Sequence, residues 1–309
     1  MEAMLAWGID VIQAIQTIAS PGLTAAMKVL TQAGSEYFYI LFLPILFWCI
    51  DERFGARFGL VFLFSTFVNS WLKAAFAQPR PYNLEPSVGL SHETSYGLPS
   101  GHAQGTSTFW GLLAPRIRKP WGLTLAIVIP LVISFTRLYL GVHFPTDVFL
   151  GLALGWGIAI ASAVFGGRIT ELVSGWNPRL KIIVAAVLAL GMNALNMEDT
   201  SMPGAFFGTA LGIVFMSSRL GFDASSGSIA KKVGRFLVGL LVLVIIYAGG
   251  KMVFPGEGDS LYALFRFLRY GLMGVWISFG APWLFLRMKL AGTRPDRKST
   301  RLNSSHRIR

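Results

Sequence analysis

The chain has 309 residues, of which 53% are hydrophobic and 14% are charged, and its mean hydropathy is +0.57. Soluble domains carry about 25% charged residues, so the composition argues against a large soluble core and favours a membrane protein. The formal net charge is +12, but residues 296–309 contribute +4 of it through five Lys or Arg and one Asp. The basic character therefore does not indicate a nucleic-acid partner. The single Cys49 excludes an intrachain disulfide and a cysteine metal cluster.

The N-terminal segment, residues 1–34, is expected to lie in the membrane interface. Residues 4–18 and 22–32 have the pattern of short amphipathic helices, and Pro21 separates them. If residues 4–18 instead cross the bilayer, the chain has ten transmembrane helices and a cytoplasmic N-terminus. No secretory signal is expected, because the first residues lack a basic start and a small-residue cleavage site.

Apolar runs of roughly transmembrane length follow along most of the chain. They predict an all-α, polytopic membrane helix bundle with a core over residues 35–166 and additional transmembrane helices over 167–290. Segment 102–115 is short for a full span of about 20 residues. The nine predicted helices cover residues 35–50, 56–76, 102–115, 121–138, 146–166, 180–196, 203–218, 235–254 and 262–286.

Cations cluster in alternate gaps between these runs, and short loops rich in Lys and Arg stay in the cytoplasm. Gaps between them are poor in cations, and residues 196–204 hold two acidic residues and no Lys or Arg. The pattern predicts an N-terminus outside and a C-terminus inside. The clusters are Arg53 and Arg57; Arg116, Arg118 and Lys119; Arg168, Arg179 and Lys181; Arg219, Lys231, Lys232 and Arg235; Arg287 and Lys289.

The C-terminal stretch, residues 291–309, is interpreted as a basic tail. Residues 296–306 resemble one reading frame of a common DNA sequencing adapter, so we expect this part to be an assembly artefact. The native chain would then end near Pro295. An ordinary basic tail is the alternative.

Three polar blocks interrupt the apolar sequence, and the predicted topology places all of them on the non-cytoplasmic side. Ionisable residues at membrane depth are candidates for function. Cations on this side also run against the positive-inside bias. The blocks are Lys73-AAFAQP-Arg80-Pro81, Pro99-Ser100-Gly101-His102 and Thr136-Arg137-LYLGV-His143-FPT-Asp147.

The first block offers two cations that suit a phosphate group. Arg80 presents a planar fork of donors, and Lys73 adds a compact point charge. They are seven positions apart, which would place both on one helix face, although Pro79 and Pro81 are expected to end the helix first. The alternative is a Lys that reaches the interface beside an Arg that caps the helix.

The second block reads as a turn that leads into a helix. Gly101 allows close backbone approach to a ligand, and amide groups at a helix start bind anions. Ser100 can cap the helix or donate its hydroxyl to an oxyanion. His102 would then stand at the mouth of this anion site. An ordinary N-cap is the alternative.

The third block pairs an imidazole with a carboxylate. His143 and Asp147 are four residues apart, so a helix that begins near Pro145 would let them form a hydrogen bond. The carboxylate would fix the tautomer and leave the other ring nitrogen as a nucleophile or base. Arg137 can reach the same pocket through a short turn. A structural His–Asp cap is the alternative.

A metal site fits these blocks less well than metal-free phosphoryl transfer. Two histidines and one aspartate could bind zinc, but three cations in the same pocket would repel the ion. We therefore expect no metal and no other cofactor.

Taken together, the blocks resemble the signature of the type 2 phosphatidic acid phosphatase superfamily, which includes bacterial lipid phosphatases, glucose-6-phosphatases and vanadium haloperoxidases. The signature reads Lys-x6-Arg-Pro, Pro-Ser-Gly-His and Ser-Arg-x5-His-x3-Asp. This chain matches each charged position over roughly residues 55–165, and Thr136 replaces the Ser of the third block while keeping the hydroxyl.

The resemblance implies a role for each matching residue. His143 would be the nucleophile that forms a phosphohistidine, Asp147 would orient it, and His102 would be the general acid for the leaving oxygen. The phosphoryl oxygens would be bound by Lys73, Arg80, Ser100, Gly101 and Arg137.

The expected function is therefore hydrolysis of a phosphate monoester or diphosphate in a membrane, with a lipid such as phosphatidate or a polyprenyl diphosphate as substrate. The nine-helix layout also resembles glucose-6-phosphatase, which makes a sugar phosphate the nearest alternative. Phosphate transfer between lipids and a non-enzymatic transporter or scramblase are further alternatives. Membrane lipids are the expected partners, in a membrane of the bacterial inner type with the site on the non-cytoplasmic side.

Overall fold

The computed structural model describes residues 2–294, and it is mainly helical. The adapter-like residues 296–306 lie outside the described part of the chain. The α-helices are α1 Glu2–Gln16, α2 Pro21–Leu30, α3 Glu36–Ile45, α4 Glu52–Phe76, α5 Pro81–Leu84, α6 Gly101–Ile117, α7 Pro120–Tyr139, α8 Pro145–Ser174, α9 Pro178–Leu195, α10 Ser201–Arg219, α11 Ile229–Val253, α12 Tyr262–Val275 and α13 Ala281–Arg287.

Shorter elements connect these helices. A 3₁₀ turn, Thr31–Gly34, follows α2, and another, Pro86–Val88, follows α5. A π-helical turn, Leu46–Ile50, extends α3, and a second, Trp276–Gly280, joins α12 to α13. Two short antiparallel strands, β1 Phe222–Asp223 and β2 Gly292–Thr293, pair Phe222 with Thr293.

Each predicted helix corresponds to an observed helical segment, and two of the observed helices extend furthest beyond their predicted apolar runs. The segment predicted over 146–166 continues to Ser174, and the one predicted over 235–254 begins at Ile229. Hydropathy marks the part of a helix that suits the bilayer, whereas backbone hydrogen bonding continues into polar turns on either side.

Within residues 2–294, six helical segments are long and apolar enough to cross a membrane, or seven if the bent pair α1 and α2 counts as one span. The predicted number of nine transmembrane helices is not confirmed. Helix α6 has 17 residues, and Glu36–Ile50 falls only among the shorter apolar helices. The six segments are Glu52–Leu84, Pro120–Tyr139, Pro145–Ser174, Pro178–Leu195, Ser201–Arg219 and Ile229–Val253.

Large apolar side chains face outward along these segments. Ile160 on α8 is 63% exposed, Leu190 on α9 is 70% exposed and Leu241 on α11 is 61% exposed. Such surfaces are unusual on soluble proteins and are covered by hydrocarbon in a bilayer. The chain is therefore an integral membrane protein.

The chain divides into two compact units. Unit one contains Met1–Phe42, Phe58–Trp176 and Leu190–Pro203, and it holds all three polar blocks. Unit two contains Leu43–Arg57, Asn177–Ala189 and Gly204–Arg309, of which the structure describes residues as far as Arg294.

In unit one, α6 packs closely on α8 because two glycines of α8 face it. A Cβ atom on Gly155 would lie 2.0 Å from Ser107 Oγ, and one on Gly151 would lie 2.6 Å from the Ser100 carbonyl oxygen. Larger residues at either position would push the helices apart. The close approach places the start of α6 beside the start of α8.

The N-terminal helix pair, α1 and α2, also belongs to unit one. Ile12 of α1 is fully buried and packs with Val88 and Phe144. Thr24 of α2 hydrogen-bonds through its hydroxyl to the Tyr139 hydroxyl at 2.9 Å. The two predicted amphipathic helices are thus present and lie against the loops that carry the polar blocks.

Unit two is built around a fully buried tryptophan and a fully buried arginine. The Trp48 indole nitrogen donates to the Ile277 carbonyl at 2.8 Å. The Arg235 guanidinium donates to the carbonyl oxygens of Trp48 at 2.7 Å, Ala224 at 3.0 Å and Ser226. These bonds join α11 to the end of α3 and to the segment after β1.

Candidate active site

The three polar blocks meet where several helices of unit one begin or end. Lys73 lies in the last turn of α4, and Arg80 immediately precedes α5. Arg137 lies in the last turn of α7, and His143 lies in the connection to α8. As expected, helix α4 ends before Pro79, at Phe76. Lys73 and Arg80 therefore reach the site from different elements.

His143 and Asp147 form the hydrogen-bonded pair that their spacing predicts. Helix α8 begins at Pro145, and His143 Nδ1 lies 3.2 Å from Asp147 Oδ2. Asp147 also accepts hydrogen bonds from the Phe144 amide at 3.0 Å and from Gln78 Nε2 at 2.7 Å. Three donors therefore hold the carboxylate on the Nδ1 side of the imidazole.

Arg80 determines the tautomer of His143. Its Nη1 lies 3.3 Å from His143 Nε2, and a guanidinium can only donate hydrogen bonds. Nε2 is therefore the acceptor, and the ring proton lies on Nδ1, where it is donated to Asp147. The resulting lone pair on Nε2 points toward a cation.

The neutral form of His143 is strongly favoured. Burial lowers its pKa well below its ordinary value of 6.5, and the positive charges of Arg80, Lys73 and Arg137 lower it further. His102 has a smaller effect in the same direction. The three cations and His102 therefore lie close enough to His143 to affect its charge state, as expected of groups in one pocket.

Backbone carbonyls of the loop before α6 hold two of the three cations. Lys73 Nζ donates to the carbonyl oxygens of Tyr96 and, at 3.3 Å, Gly97. Arg80 donates to the Ser95 carbonyl at 2.6 Å and to the Tyr96 carbonyl at 3.2 Å. A further bond joins Arg80 Nη1 to the Val142 carbonyl at 2.8 Å, so the guanidinium bridges two loops.

Arg137 is held differently, by two side chains. Nη1 donates to Thr31 Oγ1 at 2.9 Å, and Nη2 forms an ion pair with Glu93. Nε is buried and has no hydrogen-bond partner within the described residues. Tyr82 fixes the backbone of Glu93, because its hydroxyl donates to the Glu93 carbonyl at 2.7 Å and accepts from the Glu93 amide at 3.1 Å.

The second block forms the expected turn. Ser100 is the N-cap of α6, and its hydroxyl accepts from the Ala103 amide at 3.4 Å. The Ser100 amide donates to the Asp147 carbonyl at 2.9 Å, which joins this turn to the third block. His102 lies half-buried in the first turn of α6.

Several residues of the site carry no signal that identified them in the sequence. Gln78 lies inside the first block and contacts Asp147. Asn69 donates to the Pro99 carbonyl at 3.3 Å and to Gln104 Oε1 at 2.9 Å, so it supports the second block from α4. Glu93 lies in a polar loop, and only its contact with Arg137 distinguishes it.

Metal ligands are not grouped in the part of the chain that the structure describes. Within residues 2–294, no group of three or more His, Cys, Asp or Glu side chains is arranged to hold a metal ion.

Comparisons with known proteins identify relatives over two stretches of the chain. The profile of the PAP2 superfamily matches residues 54–171, and the profile of the PAP2 superfamily phosphatase transmembrane extension matches residues 200–293. Phosphatidylglycerophosphatase B of Bacillus subtilis is 30% identical over 151 residues, which cover 45% of this chain and 72% of the relative. The undecaprenyl-diphosphatase of Sulfolobus acidocaldarius is 29% identical over 165 residues, which cover 52% of this chain and 79% of the relative.

Other relatives are longer than the matched stretch. Lipid phosphate phosphatase delta of Arabidopsis thaliana is 29% identical over 165 residues, which cover 48% of this chain but 39% of the relative. The chain thus spans less than half the length of several curated relatives that it matches. Among solved structures, a transmembrane PAP2-type phosphatidylglycerolphosphate phosphatase from Bacillus subtilis aligns with a TM-score of 0.50 and 26% identity, covering 55% of this chain and 89% of that chain.

Proposed function

Because this chain belongs to the PAP2 superfamily, we propose that it is a membrane phosphatase acting on a lipid phosphate monoester or diphosphate through a phosphohistidine. One observation carries the proposal: His143 keeps its proton on Nδ1 toward Asp147 and directs the Nε2 lone pair at a cluster of cations. A neutral imidazole in this tautomer is a nucleophile, and cations around it attract a phosphate.

In the first step, His143 Nε2 attacks the phosphorus atom. A P–N bond forms while the bond to the leaving oxygen breaks, and protonated His102 donates a proton to that oxygen. Burial and the positive charges of Arg137 and Arg80 lower the pKa of His102, so in this proposal the bound phosphate dianion offsets those charges and allows His102 to take up its proton. Asp147 accepts the hydrogen bond of Nδ1–H and stabilises the positive charge that develops on the ring. Gln78 and the Phe144 amide hold the carboxylate in place for this purpose.

In the second step, a water molecule attacks the phosphorus atom and the P–N bond breaks. His102, now neutral, accepts a proton from the water, and inorganic phosphate leaves. His143 returns to its starting tautomer because Asp147 holds Nδ1–H throughout. Arg80 hydrogen-bonds to Nε2 again once the P–N bond has broken.

The phosphoryl oxygens are bound by Lys73, Arg80, Arg137, the Ser100 hydroxyl and the Gly101 amide in this proposal. Charge stabilisation and positioning account for most of the rate enhancement in phosphoryl transfer. Glu93 now occupies Nη2 of Arg137, so an incoming phosphoryl group has to compete with this carboxylate. A doubly charged phosphate is the stronger partner for the guanidinium.

A lipid is the favoured substrate because the site lies at the ends of membrane-spanning helices, where headgroups are found. The relatives support this choice, since their names describe phosphatases of lipid phosphates, of undecaprenyl diphosphate and of phosphatidylglycerophosphate. Lys and Arg clusters at the opposite helix ends favour a non-cytoplasmic site in a membrane of the bacterial inner type.

Phosphate release from purified protein in detergent tests the proposal. We expect release from phosphatidate, phosphatidylglycerophosphate or a polyprenyl diphosphate, and much less from glucose 6-phosphate. His143→Ala serves as the blank, orthovanadate should inhibit, and EDTA should have no effect. Turnover of glucose 6-phosphate without any lipid phosphate would contradict the lipid assignment, and strong inhibition by EDTA would contradict the metal-free mechanism.

A further inference from the structure

Thr31, in the N-terminal part of the chain, contacts the phosphate-binding machinery directly. It begins the 3₁₀ turn Thr31–Gly34, is 5% exposed, and its hydroxyl accepts a hydrogen bond from Arg137 Nη1 at 2.9 Å. We propose that Thr31 is a positioning residue that orients Arg137 toward the substrate phosphoryl group. The inference rests on the proposed function, and it extends the site beyond residues 54–171 of the superfamily match.

The geometry of Arg137 explains why one hydroxyl has this effect. A guanidinium is planar, so fixing both Nη atoms also fixes the direction of Nε–H. Thr31 holds Nη1 and Glu93 holds Nη2, while Nε remains buried without a hydrogen-bond partner in the described part of the chain. When a phosphoryl group displaces Glu93, Thr31 still holds the plane of the guanidinium through Nη1.

Helix α1 supports the same arginine through the backbone. Gln16 Nε2 donates to the Tyr139 carbonyl at 2.9 Å and to the Val88 carbonyl at 2.8 Å. Tyr139 lies two residues after Arg137, so Gln16 anchors the end of α7 to the loop after α5. The segment from α1 to the Thr31–Gly34 turn therefore contacts the side chain of Arg137 and, two residues further along α7, the backbone of Tyr139.

The turn that contains Thr31 also touches the proposed general acid. A Cβ atom on Gly34 would lie 3.1 Å from His102 Cδ2 and 2.7 Å from Ile133 Cγ2. Gly34 ends this turn, so one short segment packs against the imidazole of His102 while its first residue holds Arg137. A residue that only filled space would not need a hydroxyl facing the guanidinium.

The test compares three variants of the purified full-length chain by orthovanadate inhibition and by the KM for a lipid phosphate. Thr31→Val keeps the shape and removes the acceptor, Thr31→Ser keeps the acceptor, and Thr24→Val is the matched control. Thr24 lies on α2, and its hydroxyl hydrogen-bonds to the hydroxyl of Tyr139 on α7, the helix that carries Arg137.

We expect Thr31→Val to weaken vanadate inhibition and raise KM by about tenfold, because a charged donor loses its acceptor. Thr31→Ser and Thr24→Val should stay within about twofold of the wild type. If Thr31→Val does not fold, Thr31→Cys replaces it, since a thiol of similar size is a weak acceptor. In an Arg137→Ala background, Thr31→Val should have no further effect on vanadate.

Wild-type vanadate affinity in Thr31→Val, or an equal loss in Thr31→Ser, would overturn the inference. A further tenfold loss in the Arg137→Ala background would overturn it as well. Failure of the proposed function is a separate result: the wild type itself would then neither bind vanadate nor release phosphate.

Discussion

Both units of the molecule contain buried arginines, but the hydrogen-bond partners of these arginines differ between the units. In unit two, Arg235 is fully buried and donates to three backbone carbonyls. In unit one, Arg80 donates to carbonyls and also to His143 Nε2, and Arg137 forms an ion pair with Glu93 through Nη2. A buried arginine by itself indicates structure. A buried arginine beside a histidine whose tautomer is fixed indicates chemistry.

The largest expected effect on phosphate release comes from replacing the two histidines of the site in unit one. His143→Ala removes the nucleophile, so phosphate release should fall by about 10³-fold or more. His102→Ala should have nearly the same effect, because His102 is the proposed donor of the proton that the leaving oxygen takes up. Initial rates on purified protein measure both losses, and wild-type rates in either variant would refute the assignment.

Arginine replacement in the two units tests the comparison directly. Arg80→Met should lower kcat/KM by about 10²-fold or more, because a donor to the phosphoryl group and to His143 is lost. Arg235→Met should instead destabilise the protein by about 3 kcal/mol, since buried carbonyls lose a charged donor.

Thermal unfolding in detergent and kcat per folded molecule separate these two outcomes. Arg235→Met molecules that remain folded should retain their kcat within about twofold. Loss of kcat in well-folded Arg235→Met protein would contradict the purely structural role given to Arg235.

The pH profile tests whether the cations act on the nucleophile. The pKa of His143 is lowered, first by burial and then by nearby positive charges, so its reactive neutral form persists as the pH falls below 6.5. Lys73→Met removes one of these charges and should raise that pKa, which moves the acid limb of kcat/KM upward by about one pH unit. Lys28→Met on α2 is the control, and an unshifted limb in Lys73→Met would contradict the electrostatic argument.

Glu93 gives the smallest expected effect. Glu93→Gln keeps the hydrogen bond to Arg137 but removes the charge that competes with phosphate, so vanadate inhibition should strengthen by about threefold. Glu85→Gln is the matched control, because Glu85 lies in the same loop region, is half-buried and accepts a hydrogen bond from the Ser87 hydroxyl. Weaker vanadate inhibition in Glu93→Gln would show that the carboxylate assists binding rather than competing with it.

Local sequence predicted much of the architecture. Apolar runs located the helices because a helix in a bilayer must be apolar over most of its length. The His143–Asp147 pair and the Ser100 N-cap were also predictable, since both depend on residues within one helical turn. The number of membrane spans was less predictable, because short helices such as α6 are apolar enough to resemble spans but have fewer residues.

The sequence by itself determined the proposed reaction class, since three short blocks carry the charges and histidines expected for metal-free phosphoryl transfer. Only the tertiary structure decided how those charges are held. Arg137 meets Thr31 from 106 residues away and Glu93 from 44 residues away. No periodicity encodes such contacts, because they arise when the packing of α1, α2 and the loop before α6 brings distant side chains to one buried guanidinium.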